Sequence, residues 1–302
     1  MKEQIVLSLF NGMNTLRQAM ENVGIPVKKY YSSEIKPYAI KLTQHHFPDT
    51  IQLGDITKWR EWDIDWSEIT FIGSGSPCQD LSAAGRQNGI NGSRSKLFFT
   101  FIEILNHCRK LNPNVLFLQE NVGSANTFDV GIMSRELGLY PVRINSELVT
   151  AQLRDRYYWT NIKIKQTMFD TVTDIPTPED RKIYLKDIIE NGYVLRDKSN
   201  ALLESDYKCF VKDQVKENIL IQKRIKKGKQ TPVLVYLAKN NVRTVSTVEM
   251  CRLQGFPDNY CDILSKSQAA SLLGDGWTLP VIEHILSFYK AERKTHSSRS
   301  NF

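Results

Sequence analysis

The sequence predicts an α/β protein with a doubly wound, parallel sheet, helices on both faces and a second, smaller domain. Three observations carry that expectation. Short apolar runs alternate with amphipathic helical patterns through roughly the first 165 residues, as strands joined by crossover helices require. Glycines and acidic or amide residues gather just past the apolar runs, where such a sheet places its ligands. The alternation then fails over 166–240, which is more polar and weakly periodic, before a globular pattern returns.

The first strand is "IVLSLF" (5–10), buried in character, followed by "NGMNT" and then a helix with Leu16, Ala19, Met20 and Val23 on one face. "VKKYYSSE" (27–34), "TIQLGDI" (50–56) and "EITFIGSG" (68–75) supply three more strands. A strong helix follows over 95–111, with Leu97, Phe98, Phe101, Ile104, Leu105 and Cys108 facing the core. "NVLFLQENV" (114–122) is the fifth strand, and "YPVRINSELV" and "RYYWTNIKI" are later ones. Order returns with "VEMCRLQGF" and "LPVIEHILSFYKAERK", where Pro280 suits a helix's first turn; the tail "THSSRSNF" is expected to fray. The expected division is a large domain over 1–165 completed by 266–302, with a small domain over 166–265.

The chain has 302 residues, 41% of them hydrophobic, enough for a sizeable core. Its formal charge of +7 is compatible with a polyanionic partner. No run of about 18 apolar residues is present, so no membrane-spanning helix is expected. The N-terminus is too soon interrupted for a signal peptide. Cysteines 78, 108, 209, 251 and 261 include no C-x-x-C pair, which favours reduced thiols in the cytoplasm over a disulfide framework or a metal site.

Several strand ends carry groups suited to chemistry. Asn11-Gly12 follows the first strand, and Gly12 lets the backbone turn tightly beside a ligand. Glu34 ends the second strand, about 20 residues on, the separation at which an acidic side chain holds ribose hydroxyls. Asp55 ends the third and can accept from an adenine amino group. Together they favour an adenosine-containing cofactor, although a lone strand-end Gly or Asp is usually only a turn residue. The absence of G-x-G-x-x-G argues against NAD. Cys78 lies past the fourth strand, after Pro77 and ahead of a loop with Gly85, Gly89 and Gly92. A lone cysteine is most often a small buried hydrophobe, yet this placement suits a nucleophile beneath a mobile loop. Arg86 and Arg94 in that loop are either phosphate contacts or solvated cations. Glu120 ends the fifth strand, facing the same crevice. Arg154 and Arg156 alternate along a strand and so share a face, to bind an anion or pair with a carboxylate.

"SPCQDLS", "ENV" and "QLRDR", in this order, resemble the DNA cytosine-5 methyltransferases. So do "LFNG" before them and "EMCRLQGFPDNY" and "LLGDGWTLPVIEHI" after them, covering about 5–165 and 243–290. "PCQ" and "AGRQNG" look bacterial or phage, whereas "LSLFNG" is similar to the animal de novo branch; with no reader domain ahead of it, a bacterial or phage enzyme is expected.

The resemblance implies the Rossmann-like fold of S-adenosylmethionine-dependent methyltransferases with a small target-recognition domain, S-adenosyl-L-methionine as cofactor and double-stranded DNA as substrate. It implies that Phe10, Asn11, Gly12 and Pro77 line the cofactor site, with Glu34 on the ribose, Asp55 and Ile56 at the adenine, and Asp275, Gly276 and Trp277 at the methionine end. Cys78 becomes the nucleophile that adds to cytosine C6, Glu120 meets N3 and the amino edge, and Arg154 and Arg156 orient base and loop. Ser8, Asn11 and Asp275 depart from the residues usual in the family. Expected DNA contacts are Gln79, Ser82, Arg86 and Arg94 in the loop, which would close over a flipped base, and Arg224, Lys226, Lys227 and Lys229 in the basic cluster. A cognate restriction endonuclease is a candidate partner, and a cytoplasmic monomer acting on DNA is expected. The alternatives are tRNA cytosine-5 methylation, hinted at by "KCFVKDQ" (208–214), and a non-catalytic DNA-binding paralogue, disfavoured because Cys78, Glu120, Arg154 and Arg156 are all present.

Overall fold

The computed structural model describes residues 2–77, 96–202, 233–237 and 242–299. Its centre is a seven-stranded sheet in the order β3-β2-β1-β4-β5-β8-β6. The strands are β1 (Gln4–Leu9), β2 (Val27–Ser33), β3 (Ile51–Gln52), β4 (Phe71–Ser74), β5 (Leu116–Val122), β6 (Val142–Asn145) and β8 (Asp155–Thr160), while β7 (Gln152–Leu153) pairs outside this sheet with Ser199–Asn200. From β3 through β5 every pairing is parallel, and β8 joins β5 antiparallel. The chain winds outward from β1 to β3, then returns to lay β4 on the other side of β1. That reversal puts the turn after β1 beside the turn after β4, the crevice where doubly wound sheets bind ligands.

Burial explains the parallel centre. All six residues of β1 and all four of β4 are buried, as strands covered on both faces must be. Helix α1 (Thr15–Asn22) buries Leu16, Ala19 and Met20, and α2 (Pro37–His46) buries Ala39 and Leu42. Helix α3 (Lys96–Leu111) turns Phe98, Phe101, Ile104, Leu105 and Cys108 into a core shared with Leu7, Leu9, Ile72 and Phe117. Burying each such side chain contributes about 1.5–3 kcal/mol. Helix α4 (Thr127–Leu137) starts at Asn126, whose side chain accepts from Asp129 N–H, and stops at Gly138, φ 80°.

Several expected bounds shift. The third strand shrinks to Ile51–Gln52, because Gly54 turns the chain at φ 75° and Asp55 caps a short 3-10 turn, Ile56–Glu61. Glu68 closes another such turn, so β4 begins only at Phe71. The last helix, Leu279–Arg299, carries Pro280 in its first turn and continues through most of the tail expected to fray.

The chain divides into two compact units: Met1–Ile144, Asp155–Thr177 and Ile282–Phe302; and Asn145–Arg154 with Pro178–Val281. These bounds differ from the expected 1–165, 166–265 and 266–302. The segment 145–154 is held within the second unit, where Gln152 Nε2 donates to the Leu253 carbonyl and its Oε1 accepts from Leu202 N–H. Lys198 Nζ donates to the carbonyls of Glu147, Thr150 and Ile183 in the same unit.

Candidate active site

The first unit gathers its chemistry at the carboxyl ends of β1, β2, β4 and β5. Past β1 the backbone reverses through Phe10 at φ 56° and Gly12 at φ 56°. For an aromatic residue that conformation costs on the order of 1–3 kcal/mol, and such strain concentrates at working sites. Glu34, just past β2, fixes this turn: its Oε2 accepts from Gly12 N–H at 2.8 Å, and its Oε1 accepts from the backbone of Ile35 and Lys36. A carboxylate offers about four lone-pair sites, so roughly one further bond remains for a ligand hydroxyl. Asn11 turns inward instead, donating to Thr43 Oγ1 and accepting from the Tyr30 hydroxyl, each at 3.2 Å. Its side chain is therefore engaged within the fold. Asp55 Oδ1 is occupied by the N–H and hydroxyl of Thr57, while the residue itself is exposed. Ile56 packs its side chain into the core. Ile35, 70% exposed beside Glu34, adds an apolar surface that sequence reasoning missed.

Past β4, Ser76 is buried and Pro77 half-buried. Cys78, Gln79, Ser82, Arg86 and Arg94 lie outside the described residues, as do Cys209, Arg224, Lys226, Lys227 and Lys229.

On β5, Glu120 is 8% exposed and pairs with Arg156 on β8, Nε to Oε1 at 2.8 Å. The register dictates this contact. Glu120 opposes Tyr158 and Val122 opposes Arg156, so the two are diagonal neighbours on one face. Arg156 Nη1 also donates to the Asp155 carbonyl at 2.8 Å, which fixes its guanidinium from two sides. Gly123 donates to that same carbonyl, and a Cβ there would lie 2.7 Å from Asp155 Cγ, so only glycine allows β5 and β8 this close.

Arg154 has different partners, in the second unit. It precedes β8 and is 3% exposed, with Nη1 and Nη2 donating to the carbonyls of Gly274 (3.1 Å) and Gly276 (2.8 Å). These carbonyls close the helix Lys266–Asp275, an end where a cation is favourable. Arg154 thereby holds the Asp275-Gly276-Trp277 segment, in which Asp275 is exposed and the other two are half-buried. The two arginines expected to share one face therefore serve separate neighbours.

An adenosyl group fits the first unit's donors and acceptors: the Gly12 turn, the Glu34 carboxylate with spare capacity, the exposed Asp55 and the apolar Ile35. Fold and site thus define the α/β class of adenosyl-cofactor transferases. A family profile described as C-5 cytosine-specific DNA methylase matches residues 5–206 and 152–290, and the chain belongs to that family. Among curated relatives it is similar to the type II methyltransferase M1.ScrFI of Lactococcus lactis subsp. cremoris, 29% identical over 93% of this chain and 76% of that protein. It is also similar to the type II methyltransferase M.NlaX of Neisseria lactamica, 28% identical over 97% of this chain and 98% of that one. In fold it resembles the Entamoeba histolytica methyltransferase EhMeth, with TM-score 0.64 and 16% identity over 97% of this chain and 99% of that one. The chain is accordingly a DNA cytosine-5 methyltransferase that uses S-adenosyl-L-methionine.

Proposed function

We propose that this enzyme methylates cytosine within a specific duplex sequence through a transient bond between Cys78 Sγ and C6 of an extruded base. The observation that carries the reading is the Glu120–Arg156 pair. One carboxylate oxygen is held by arginine, and among the described residues the other makes no hydrogen bond. This supports a Glu120 that meets the N3 and amino edge of a cytosine.

The chemistry needs both groups. C5 of cytosine is a weak nucleophile. Addition of the Cys78 thiolate to C6 shifts the ring electrons toward C5 and N3, splitting one hard step into easier ones. Glu120, carrying a proton when the base binds, donates it to N3 and so offsets the negative charge that develops there, and takes it back when the thiolate leaves. Loss of the C5 proton to a base or water, with departure of the thiolate, restores the aromatic ring. Bound S-adenosyl-L-methionine supplies an electrophilic methyl group, held by the Gly12 turn, Glu34, Asp55 and Ile56, with Pro77 alongside. Arg154 acts by holding the 275–277 segment.

A stacked base does not offer C6 to a thiol, so the target leaves the helix. The second unit is proposed to contain the target-recognition region, with Arg224, Lys226, Lys227 and Lys229 on phosphates. The named relatives are type II methyltransferases, which supports a restriction-modification role, a cognate endonuclease and action on cytoplasmic DNA. The enzyme is taken to act as a monomer.

Bisulfite sequencing of DNA and tRNA from cells expressing the chain tests this. Protected cytosines in one short DNA context, with tRNA unchanged, are expected. Protection confined to tRNA, or none at all, would overturn it.

A further inference from the structure

The backbone ladder between β4 and β5 ends at the pair Ser74–Gln119. Beyond it, side chains continue the connection. Gln119 Nε2 donates to Ser76 Oγ at 3.0 Å and to the Glu120 carbonyl at 2.7 Å. Asn121 Nδ2 lies 3.4 Å from the same Ser76 hydroxyl, while Asn121 Oδ1 accepts from Val122 N–H at 2.8 Å. Gln119, Asn121 and Ser76 are all buried, at 0%, 1% and 4% exposure. Burying amides in a sheet is costly unless they are bonded, and apolar residues would fill the same space without that penalty. Among the described residues, Gln119 Oε1 and Ser74 Oγ even remain without partners. The polar cluster sits at one place: between the chain that leads into Pro77-Cys78 and the residue that carries the working carboxylate.

We propose that Gln119 and Ser76, braced by Asn121, form a positioning latch that fixes the entry to Pro77-Cys78 against the backbone of Glu120. The inference rests on the reading of Cys78 and Glu120 given above and adds what sets their separation. Gln119 and Ser76 touch no reacting atom. They act by holding the two groups that do, and a small displacement at such a site costs much in rate: about 1 Å can cost 10²-fold.

The test is single-turnover methyl transfer to duplex DNA by the full chain, with cofactor affinity measured by calorimetry and melting temperature recorded. Ser76→Ala and Gln119→Leu should each slow transfer about tenfold or more while leaving cofactor affinity within about twofold. The double variant should lose clearly less than the product of the two single losses, because both remove the Ser76–Gln119 bond. Ser76→Thr, which keeps the hydroxyl, should recover most of the rate. Rates for Ser76→Ala within twofold of the parent, a Ser76→Thr variant as slow as Ser76→Ala, or additive losses in the double variant would overturn the latch. Cys78→Ala runs beside them: if it still transfers methyl groups, the nucleophile assignment falls and the latch with it. If it is inactive and Ser76→Ala is unimpaired, the latch alone falls.

Discussion

Arg156 reaches Glu120 because an antiparallel pair brings diagonal residues of one face together, and because the Asp155 carbonyl holds the guanidinium's other side. In the proposed reaction this charge-assisted bond orders the carboxylate before any base arrives, so little orientation remains to be lost on binding. Glu120→Gln keeps the shape but removes the carboxyl that can carry a proton to N3. It should lower the single-turnover rate of methyl transfer about 10²-fold, with cofactor affinity little changed. A rate within fivefold of the parent would remove Glu120 from the chemistry. Cys108 has the opposite character. Burial pushes its thiol up to about 12, so it stays protonated and is a core residue, as its place on α3 implied.

Elements set which of these residues can act. The helix Lys266–Asp275 ends on carbonyls that receive the buried Arg154 guanidinium. Arg154→Ala would leave those carbonyls short of donors at a cost of roughly 2–4 kcal/mol. Thermal denaturation should show the loss, and an unchanged melting temperature would contradict the anchoring role. The central strands, α3 and the Pro280 helix were legible in the sequence because their apolar residues recur at one period over many positions. The third strand was misjudged because Gly54 and Asp55, which form turns, sit inside an otherwise apolar run. Helix α2 went unread because its ten residues bury only Ala39, Leu42 and Thr43. Helix α4 offered its cap, Asn126 with Asp129, and its stop, Gly138, but only a broken apolar stripe between them. The Glu34 and Glu120 positions could be read from strand ends. The separate engagements of Arg154 and Arg156 could not, because two residues apart implies one face only if both belong to one strand, and Arg154 precedes it.

Across the whole molecule, stability and function draw on different charges. In the second unit, Glu249 is fully buried, and Arg243 grips it through both terminal nitrogens at 2.7 Å. Burial alone would raise its pKa. The Arg243 bonds, with the backbone N–H groups of Glu190 and Ser246, outweigh that and hold the carboxyl below its ordinary 4.5. A depressed folded value contributes stability that is fully present above about pH 4.5 and fades as pH falls toward the folded value, since the unfolded chain then binds the proton first. Glu249→Gln should lower stability near neutrality and flatten this acid-side loss in pH-dependent unfolding. An unaltered acid slope would show that the pair carries no such linkage.

Covalent trapping reads the proposed Cys78–C6 bond itself. Duplexes carrying 5-fluorocytosine in the methylated context should become irreversibly joined to the enzyme in the presence of S-adenosyl-L-methionine, with the modified peptide mapping by mass spectrometry to Cys78. Methylation of ordinary cytosine in that context without any trapped species, or with the bond at another residue, would contradict it.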